Sequence, residues 1–436
     1  MATIAGKYPA RLLPLLYLGT AHVSLALACV LVAWWPHAVA GFFYHDWMAA
    51  IVHLVTLGWL TISILGAMYI VGPLALRMEM PARRLDYVAY GFALVGLVGM
   101  VGHFWMQEYG GMAWSAATIG AAIVYMTIRI VRAASRASMP TPVKLHIVLA
   151  CANIWVAASM GLLLAWDKVA HVLPGFVLSN VFAHAHLAAV GWVTMMIVGV
   201  GYRLLPMTFP SKMPSGRSVY ASAMLLEVGV LGLFITLLIR SVWVALFGLI
   251  IVAGLVAFAA QVAWMVRRRV ARPTGAPRID FGILHAASAG VSLTVAVAIG
   301  LALLVLPTSP ATLHAAAVYG VFGLVGFLAQ MVVAMEVRLL PMVTWFWAYE
   351  RSGYRVAPPS PHTMRERTWQ AIVFAAWTIG VPALAVGMGL ESAPWLSLGA
   401  WALLVGVVLA TADNACVVAN ARRAEQLSTT SQEHVR

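Results

Sequence analysis

Charged residues are scarce in this sequence. Only 9% of its 436 residues are Asp, Glu, Lys or Arg, whereas soluble domains carry about 25%. Hydrophobic residues make up 63% of the chain, and its mean hydropathy is +0.92. A soluble fold of this length could not bury so much apolar surface, so we expect lipid to surround most of the chain.

Cysteine is also scarce, and its placement excludes two kinds of structure. Cys29, Cys151 and Cys416 each lie inside an apolar run, so neither a disulfide framework nor a CxxC metal site is available. The net charge of +13 could suggest a nucleic-acid partner, but the basic residues lie in short loops between apolar runs. That placement is typical of a membrane topology signal, so we expect no nucleic-acid binding.

Runs of about 20 apolar residues, the length that crosses a bilayer as a helix, occur about twelve times. They lie at 12–35, 49–76, 85–105, 112–132, 145–166, 177–206, 218–239, 241–266, 281–306, 311–341, 369–389 and 394–418. The sequence therefore predicts an all-α membrane protein with about twelve transmembrane helices in one domain, 1–424, followed by a polar tail at 425–436.

The loops between these spans alternate in charge. Every second loop is rich in Arg and Lys, while 36–48, 106–111, 167–176, 307–310 and 390–393 are poor in both. Because basic loops stay in the cytoplasm, both termini are predicted to be cytoplasmic. We expect the protein to lie in a bacterial inner membrane as a multi-pass protein, without a cleaved signal peptide.

An internal repeat links the second and sixth spans. The residues His53, Gly58, Trp59, Thr61, Tyr69 and Pro73 recur with every spacing kept as His186, Gly191, Trp192, Thr194, Tyr202 and Pro206. The tenth span keeps part of the pattern, with Val321 at the histidine position and Pro341 at the proline position. The chain is therefore predicted to contain three parallel pseudo-repeats of four helices, about 10–135, 140–270 and 275–420.

The repeated histidines are the strongest candidates for a cofactor site. His53 and His186 lie at equal depth near the predicted outer face, and two imidazoles from parallel helices suit a six-coordinate haem iron. His184 lies two residues before His186, so it points to the opposite flank of the helix and could ligate a second haem. The alternative for each is a hydrogen bond to a neighbouring helix.

Other polar residues inside the spans have weaker assignments. His103 and His314 are candidate ligands or supporting partners near the outer face, and Glu227 is a candidate proton relay. For His22, His146 and His285 we favour a packing role. Glu336, Arg338 and Arg203 could form an ion-pair network, and the pattern leaves its role open between structure and function.

The stretch from Phe182 to Trp192, continuing to Tyr202 and Pro206, resembles the His-x-His helix of haem-copper oxidase subunit I. It is most similar to the branch that contains the cbb-type oxidases and the nitric oxide reductase large subunit. The resemblance implies haem near the outer side of a twelve-helix bundle. It implies that His186 and His53 ligate a low-spin haem b, and that His184 is the proximal ligand of a second haem.

The sequence departs from that family at the copper ion. The family's copper needs three histidines, two of them adjacent, but no His-His pair occurs here and spans 7 and 8 contain no histidine. His314 and His22 are the only candidates for copper ligands, so copper binding stays open. The NnrS-like proteins, which are haem proteins of similar size linked to nitric oxide stress, resemble the chain more loosely and also lack that centre.

The leading hypothesis is a haem b-binding membrane protein that acts in respiratory electron transfer or binds or reduces oxygen or nitric oxide. Quinol or a periplasmic cytochrome c would donate electrons, other respiratory subunits are candidate partners, and an oxidoreductase activity stays open. One alternative is a secondary transporter or channel, although those folds usually have inverted rather than parallel repeats. A structural subunit of a respiratory complex that has lost its cofactors is another alternative.

Overall fold

The architecture was described from a computed structural model of the chain. It describes residues 9–208, 210–270, 279–355, 357–358 and 360–433, with side chains up to residue 420. Within these ranges the regular structure is entirely helical. The basic loop around Arg272 and the last residues of the predicted tail, 434–436, lie outside the described residues.

Among the described residues, twelve helices are long and apolar enough to cross a membrane. We label them α1 to α12 in chain order: Leu12–Trp34, Asp46–Ala75, Arg84–Met106, Met112–Arg136, Thr141–Ala170, Val177–Thr208, Ser218–Leu238, Val244–Arg267, Phe281–Val305, Pro310–Arg351, Arg367–Gly389 and Ala393–Asn420. The twelve predicted spans and the all-α membrane fold are therefore confirmed. We call the end of the bundle that carries the Arg-rich loops the basic end, and the opposite end the basic-poor end.

Two helices run further than the sequence suggested. The tenth predicted span ended at Pro341, but α10 continues to Arg351. Pro341 has no N–H to bond the carbonyl of Val337, and the side chain of Arg365 donates to that carbonyl at 2.9 Å instead. The helix that contains α12 continues to Glu433, so most of the predicted polar tail is helical in its backbone.

The helices α2, α6 and α10 meet at the centre of the bundle. The Trp59 indole on α2 donates to the carbonyl of Ala329 on α10 at 3.2 Å. The Trp192 indole on α6 donates to the Thr61 hydroxyl on α2 at 3.3 Å. Both indoles are about 1% exposed. Equivalent side chains of successive repeats therefore join the three central helices.

Glycines let the first helix of each repeat approach the central helix of the same repeat. A Cβ atom at Gly58 or Gly326 would lie 2.5 or 2.8 Å from the Cβ of Ser24 or Ser292, and one at Gly191 would lie 2.9 Å from the Cβ of Asn153. These contacts are equivalent in the three repeats. The glycines of the repeated motif therefore serve close helix packing.

The same register identifies which residues of α1, α5 and α9 correspond. A Cβ at Gly66 would meet Tyr17, and one at Gly199 would meet His146, each within 2.6 Å. By spacing from Ser24, Asn153 and Ser292, the third member is His285. Tyr17, rather than His22, is therefore the counterpart of His146 and His285.

Candidate functional site

Each central helix changes its winding at the same place in its repeat. A π-helical segment follows His53 at Leu54–Thr61, follows His186 at Leu187–Thr194, and occupies Val321–Ala329 in the third repeat. Such segments are rare and often lie at functional sites. The repeated histidine positions therefore stand at the junction between an ordinary helix and a widened one.

The two ring nitrogens of His53 differ in their hydrogen bonding. Its Nδ1 donates to the Ala49 carbonyl at 2.7 Å, and its ring stacks on Phe104 with centroids 5.1 Å apart. Among the described residues, its Nε2 has no hydrogen-bond partner, and the side chain is partly exposed. A histidine held through Nδ1–H presents the lone pair of Nε2, which is the arrangement that metal-ligating imidazoles adopt.

His184 is held in the same way from another helix. Its Nδ1 donates to the Ala157 carbonyl on α5 at 3.0 Å. Its ring packs so tightly against α5 that a Cβ added at Gly161 would lie 3.0 Å from Cε1. His184 is therefore oriented by α5, and its Nε2 has no hydrogen-bond partner among the described residues.

His186 lies on a different flank of α6, as the two-residue spacing predicted. Its Nδ1 donates to the Phe182 carbonyl at 2.8 Å, and its Nε2 accepts a hydrogen bond from the Tyr319 hydroxyl of α10 at 3.1 Å. The two rings are nearly parallel, with centroids 5.8 Å apart. No hydrogen bond or ring contact joins His53 to His186 among the described residues, and their pairing across one iron stays a prediction.

The pseudo-repeat explains why His186 contacts Tyr319. Tyr319 occupies the position in the third repeat that His184 occupies in the second. It packs on Gly300 of α9, where an added Cβ would lie 3.1 Å from its ring, just as His184 packs on Gly161 of α5. His186 thus faces the position two residues before the equivalent one on the next central helix, and by the same register His53 corresponds to His184.

Two clefts between central helices follow from this register. We call the one between α2 and α6, with His53 and His184, the first cleft. The second cleft lies between α6 and α10 and contains His186 and Tyr319. In the third repeat Val321 stands at the histidine position. By the same register it corresponds to Ile51 on α2, two residues before His53. Neither side chain has an atom that could bind a metal.

Side chains near both clefts are only partly covered by the rest of the chain. Within Pro310–Gly320, the basic-poor part of α10, Ala317 alone is buried, whereas most of the residues from Gly326 to Pro341 are. Ala185, between the two histidines of α6, is exposed. The helix segments that carry the candidate histidines are therefore less buried than the middle of the bundle.

The other predicted candidates lie outside the two clefts. His103 donates from Nδ1 to the Glu108 carbonyl at 2.7 Å, and its Nε2 lies against Gly111 in the turn before α4. His314 pairs with Glu391 at 2.9 Å in an exposed position. Among the described residues, no three or more His, Cys, Asp or Glu side chains are grouped so that they could hold a metal ion.

Glu227 lies on α7 beside the second π-helical segment. Asn153 on α5 donates through Nδ2 to the Glu227 carboxylate at 2.8 Å and to the Gly191 carbonyl at 3.2 Å. The amide therefore links the carboxylate to the central helix that carries His184 and His186. A proton-relay role for Glu227 stays a prediction.

Phe104 and Tyr319 contact the candidate histidines and were missed by the sequence reasoning. Phe104 follows His103, whose side chain attracted the assignment, but it is the phenyl ring that reaches His53. Tyr319 could have been found by extending the repeat alignment to the residue two positions before Val321. Phe104 had no comparable signal, because its role depends on how α3 packs against α2.

Comparison with known proteins adds no family to this description. No protein-family model matches the sequence, and no curated protein matches it either.

Proposed function

We propose that this protein binds haem b in its first cleft, where His53 and His184 would ligate one iron. The observation that carries the proposal is the matched state of the two imidazoles. Each donates from Nδ1 to a backbone carbonyl, each has an Nε2 without a hydrogen-bond partner among the described residues, and the register of the repeats pairs their positions. Two neutral imidazoles are the ligands that a six-coordinate haem iron requires.

The residues of the first cleft have separate tasks in this proposal. The carbonyls of Ala49 and Ala157 fix the ring orientation and make each Nε2 a stronger ligand. Phe104 covers one face of the His53 ring. A bis-imidazole haem supplies one-electron transfer and has no open position for a gas. The first cleft is therefore assigned to electron transfer.

The second cleft is proposed to hold a second haem through His186. Tyr319 places a hydroxyl 3.1 Å from Nε2 of His186, so this cleft offers one imidazole and one phenol. A haem held by His186 alone would keep a coordination position for a small molecule, and Tyr319 would then be released from Nε2 to donate a hydrogen bond within the cleft. Binding or reduction of oxygen or nitric oxide therefore belongs to this cleft.

The membrane setting completes the proposal. The basic loops support a bacterial inner membrane with both termini in the cytoplasm, and in that orientation both clefts would lie near the periplasmic face. Quinol or a periplasmic cytochrome c would then donate electrons, and copper is not required. The resemblance to haem-copper oxidase subunit I supports the same class of activity.

Haem content and optical spectra of histidine variants test the proposal. We expect the purified protein to contain haem b, and His53→Ala and His184→Ala to lose the same low-spin signal. His186→Ala should keep that signal and lose any second haem. His37→Ala, an exposed histidine at the basic-poor end, is the matched control and should keep the full spectrum.

Three results would separate the alternatives. Equal loss of the low-spin signal in His53→Ala and His186→Ala, with His184→Ala unaffected, would restore the pairing inferred from the sequence. A purified protein without haem would reject the proposed function. Full haem content in all three variants would reject the ligand assignment.

A further inference from the structure

A second polar cluster lies at the basic end of the bundle, among α1, α9, α10 and α12. It surrounds a cavity of about 20 Å³ whose lining includes His285, Glu336, Arg365 and Asp413. A cavity of this size holds about one water molecule, provided that polar partners are present. None of these residues contributes to the two clefts.

The first part of the cluster is a pair formed by His22 and Glu336. Nε2 of His22 lies 2.9 Å from Oε2 of Glu336, and the two residues are only 5% and 8% exposed. The Thr411 hydroxyl donates to the Val407 carbonyl at 2.7 Å, so it accepts from Nδ1 of His22 at 2.8 Å. His22 therefore carries a hydrogen on Nδ1.

The close approach of His22 and Glu336 requires a shared proton, and Asn414 lies beside it. Arg365 donates to Oδ1 of Asn414 at 2.8 Å, which turns the amide nitrogen towards Nε2 of His22 at 3.1 Å. If Nε2 and the Glu336 oxygen both presented lone pairs at 2.9 Å, they would repel each other. One proton must therefore lie between His22 and Glu336.

The second part of the cluster is His285, which is fully buried. Ser288 donates to Oε1 of Gln330 at 3.3 Å, so the amide nitrogen of Gln330 donates to Nδ1 of His285 at 3.3 Å. With Nδ1 acting as an acceptor, neutral His285 carries its hydrogen on Nε2. That N–H is buried and has no partner among the described residues.

The two parts meet at the cavity. Oε1 of Glu336 is likewise buried without a partner among the described residues, and both Glu336 and His285 line the cavity. A buried donor and a buried acceptor beside a space for one water are satisfied if the water accepts from His285 and donates to Glu336.

We propose that this cavity is a proton-binding site in which one water links His285 to the His22–Glu336 pair. A proton that arrives through the water forms an O–H bond at Oε1 of Glu336. The proton already shared then moves fully onto Nε2 of His22, so the site gains one positive charge. This proposal is independent of haem in either cleft.

The surrounding charges indicate where the proton comes from. Arg365 and Asp413 form a buried ion pair at the cavity, and Arg338 of α10 pairs with Asp280 of α9. The α2 helix contributes the edge of the Trp59 ring to His22, and α11 contributes the uncharged Gln370. The cavity and its charged neighbours lie at the basic end, so the shortest route for a proton to this site is from that end.

Infrared difference spectra of the full-length protein in lipid, recorded between two pH values, test this site. We expect a carboxylic-acid C=O band that is lost in Glu336→Gln and kept in Glu227→Gln, the matched intramembrane control. In His285→Leu the band should move to higher frequency, because the carboxyl group loses its hydrogen bond through the water. A water O–H band that shifts in heavy-oxygen water should disappear in the same variant.

Two outcomes would overturn the proposal. The pH-dependent carboxyl bands of Glu336→Gln could equal those of the parent protein, which would exclude proton binding at Glu336. Alternatively, His285→Leu could leave both the carboxyl frequency and the water band unchanged, which would exclude the water link. If Glu336→Gln does not fold, the His285→Leu measurement still tests the water link.

Discussion

At the scale of single residues, the partner of Nε2 distinguishes the buried histidines. His53, His186 and His146 all donate from Nδ1 to the carbonyl four residues earlier. The Nε2 of His146 contacts the Ser222 hydroxyl at 3.0 Å, and that of His186 contacts Tyr319. Because the Nε2 atoms of His53 and His184 have no such partner among the described residues, these two are the stronger candidates for iron ligands.

The glycine beneath His184 gives a prediction for the first cleft. Gly161→Val introduces the side chain that the first repeat has at the equivalent position, Val32. The new Cβ would lie 3.0 Å from the His184 ring, so the imidazole must move. We expect haem bound per protein to fall at least several-fold, measured by haem extraction. Gly120→Val, where an added Cβ meets no atom within 4 Å, should retain haem.

A buried ion pair gives a prediction that does not involve haem. Asp86 is fully buried and pairs with Arg129, which bridges α3 and α4. Arg129→Ala leaves the carboxylate unpaired, which should lower the free energy of unfolding by about 3–5 kcal/mol. Denaturant unfolding in detergent measures the change. Arg132→Ala, at an exposed position on the same helix, should change it little, and equal effects of the two variants would contradict the prediction.

At the scale of elements, the three π-helical segments are the most distinctive feature. Thr61 and Thr194 each donate a side-chain hydrogen bond at 2.9 Å to the carbonyl five residues earlier. The third segment has Ala329 at this position, and its carbonyl accepts from the Trp59 indole instead. The hydroxyl groups therefore stabilise the wide turns in the two repeats that carry the repeated histidine.

Replacement of these threonines should weaken the fold measurably. Thr194→Val removes one hydrogen bond to a buried carbonyl, and we expect a loss of about 0.5–1.5 kcal/mol in unfolding free energy. Thr194→Ser should recover most of that loss. Thr118→Val serves as the control, because Thr118 bonds the carbonyl four residues earlier in an ordinary, exposed helical turn.

Three elements meet in a polar cluster at the basic-poor end. Tyr109, in the turn before α4, donates to Asp46 of α2 at 2.6 Å, and Lys168 of α5 contacts the same carboxylate at 2.8 Å. The hydrogen bond to Asp46, together with burial, raises the pKa of Tyr109 from its ordinary value of 10.0 to about 12. The neutral phenol is thus favoured in the folded state.

This pKa shift predicts how stability depends on alkaline pH. A raised pKa means that the contribution of Tyr109 is fully present below about pH 10 and is lost as the pH rises to about 12. Unfolding midpoints measured across this range should therefore fall less in Tyr109→Phe than in the parent protein. Tyr87→Phe, at an exposed position, should follow the parent curve, and identical curves for all three proteins would contradict the assignment.

At the scale of the whole molecule, charge and helix direction make the two ends of the bundle different. The basic end carries the proton-binding site, and the basic-poor end carries both clefts. If the basic end faces the cytoplasm, protons enter from one side of the membrane and electrons from the other. The orientation of the bundle therefore decides how the two proposed sites would work together.

Cysteine labelling in intact cells tests this orientation. We expect a membrane-impermeant thiol reagent to label Glu108→Cys, in the turn between α3 and α4, and not Arg132→Cys, near the basic end of α4. Both variants require Cys416→Ser, because Cys416 is exposed whereas Cys29 and Cys151 are buried. Labelling of Arg132→Cys alone would reverse the orientation.

The sequence by itself determined the twelve spans and the register of the repeats. Both are local properties, because the length of an apolar run fixes a span and the spacing of residues such as Gly58 and Gly191 fixes how a helix packs on its neighbour. The candidate histidines could be named for the same reason, since polar groups inside an apolar run are conspicuous. The roles of Tyr319 and Phe104 could not be named, because contacts across helices give them those roles.

Only the tertiary structure decided which side chains face each other. It placed Tyr319 beside His186, because α10 meets α6 two residues out of register. It also carried α10 past Pro341, where a distant arginine replaces the missing hydrogen bond. Hydrogen bonds and ring contacts between helices depend on how the helices rotate and pack, and no single span of the sequence contains that information.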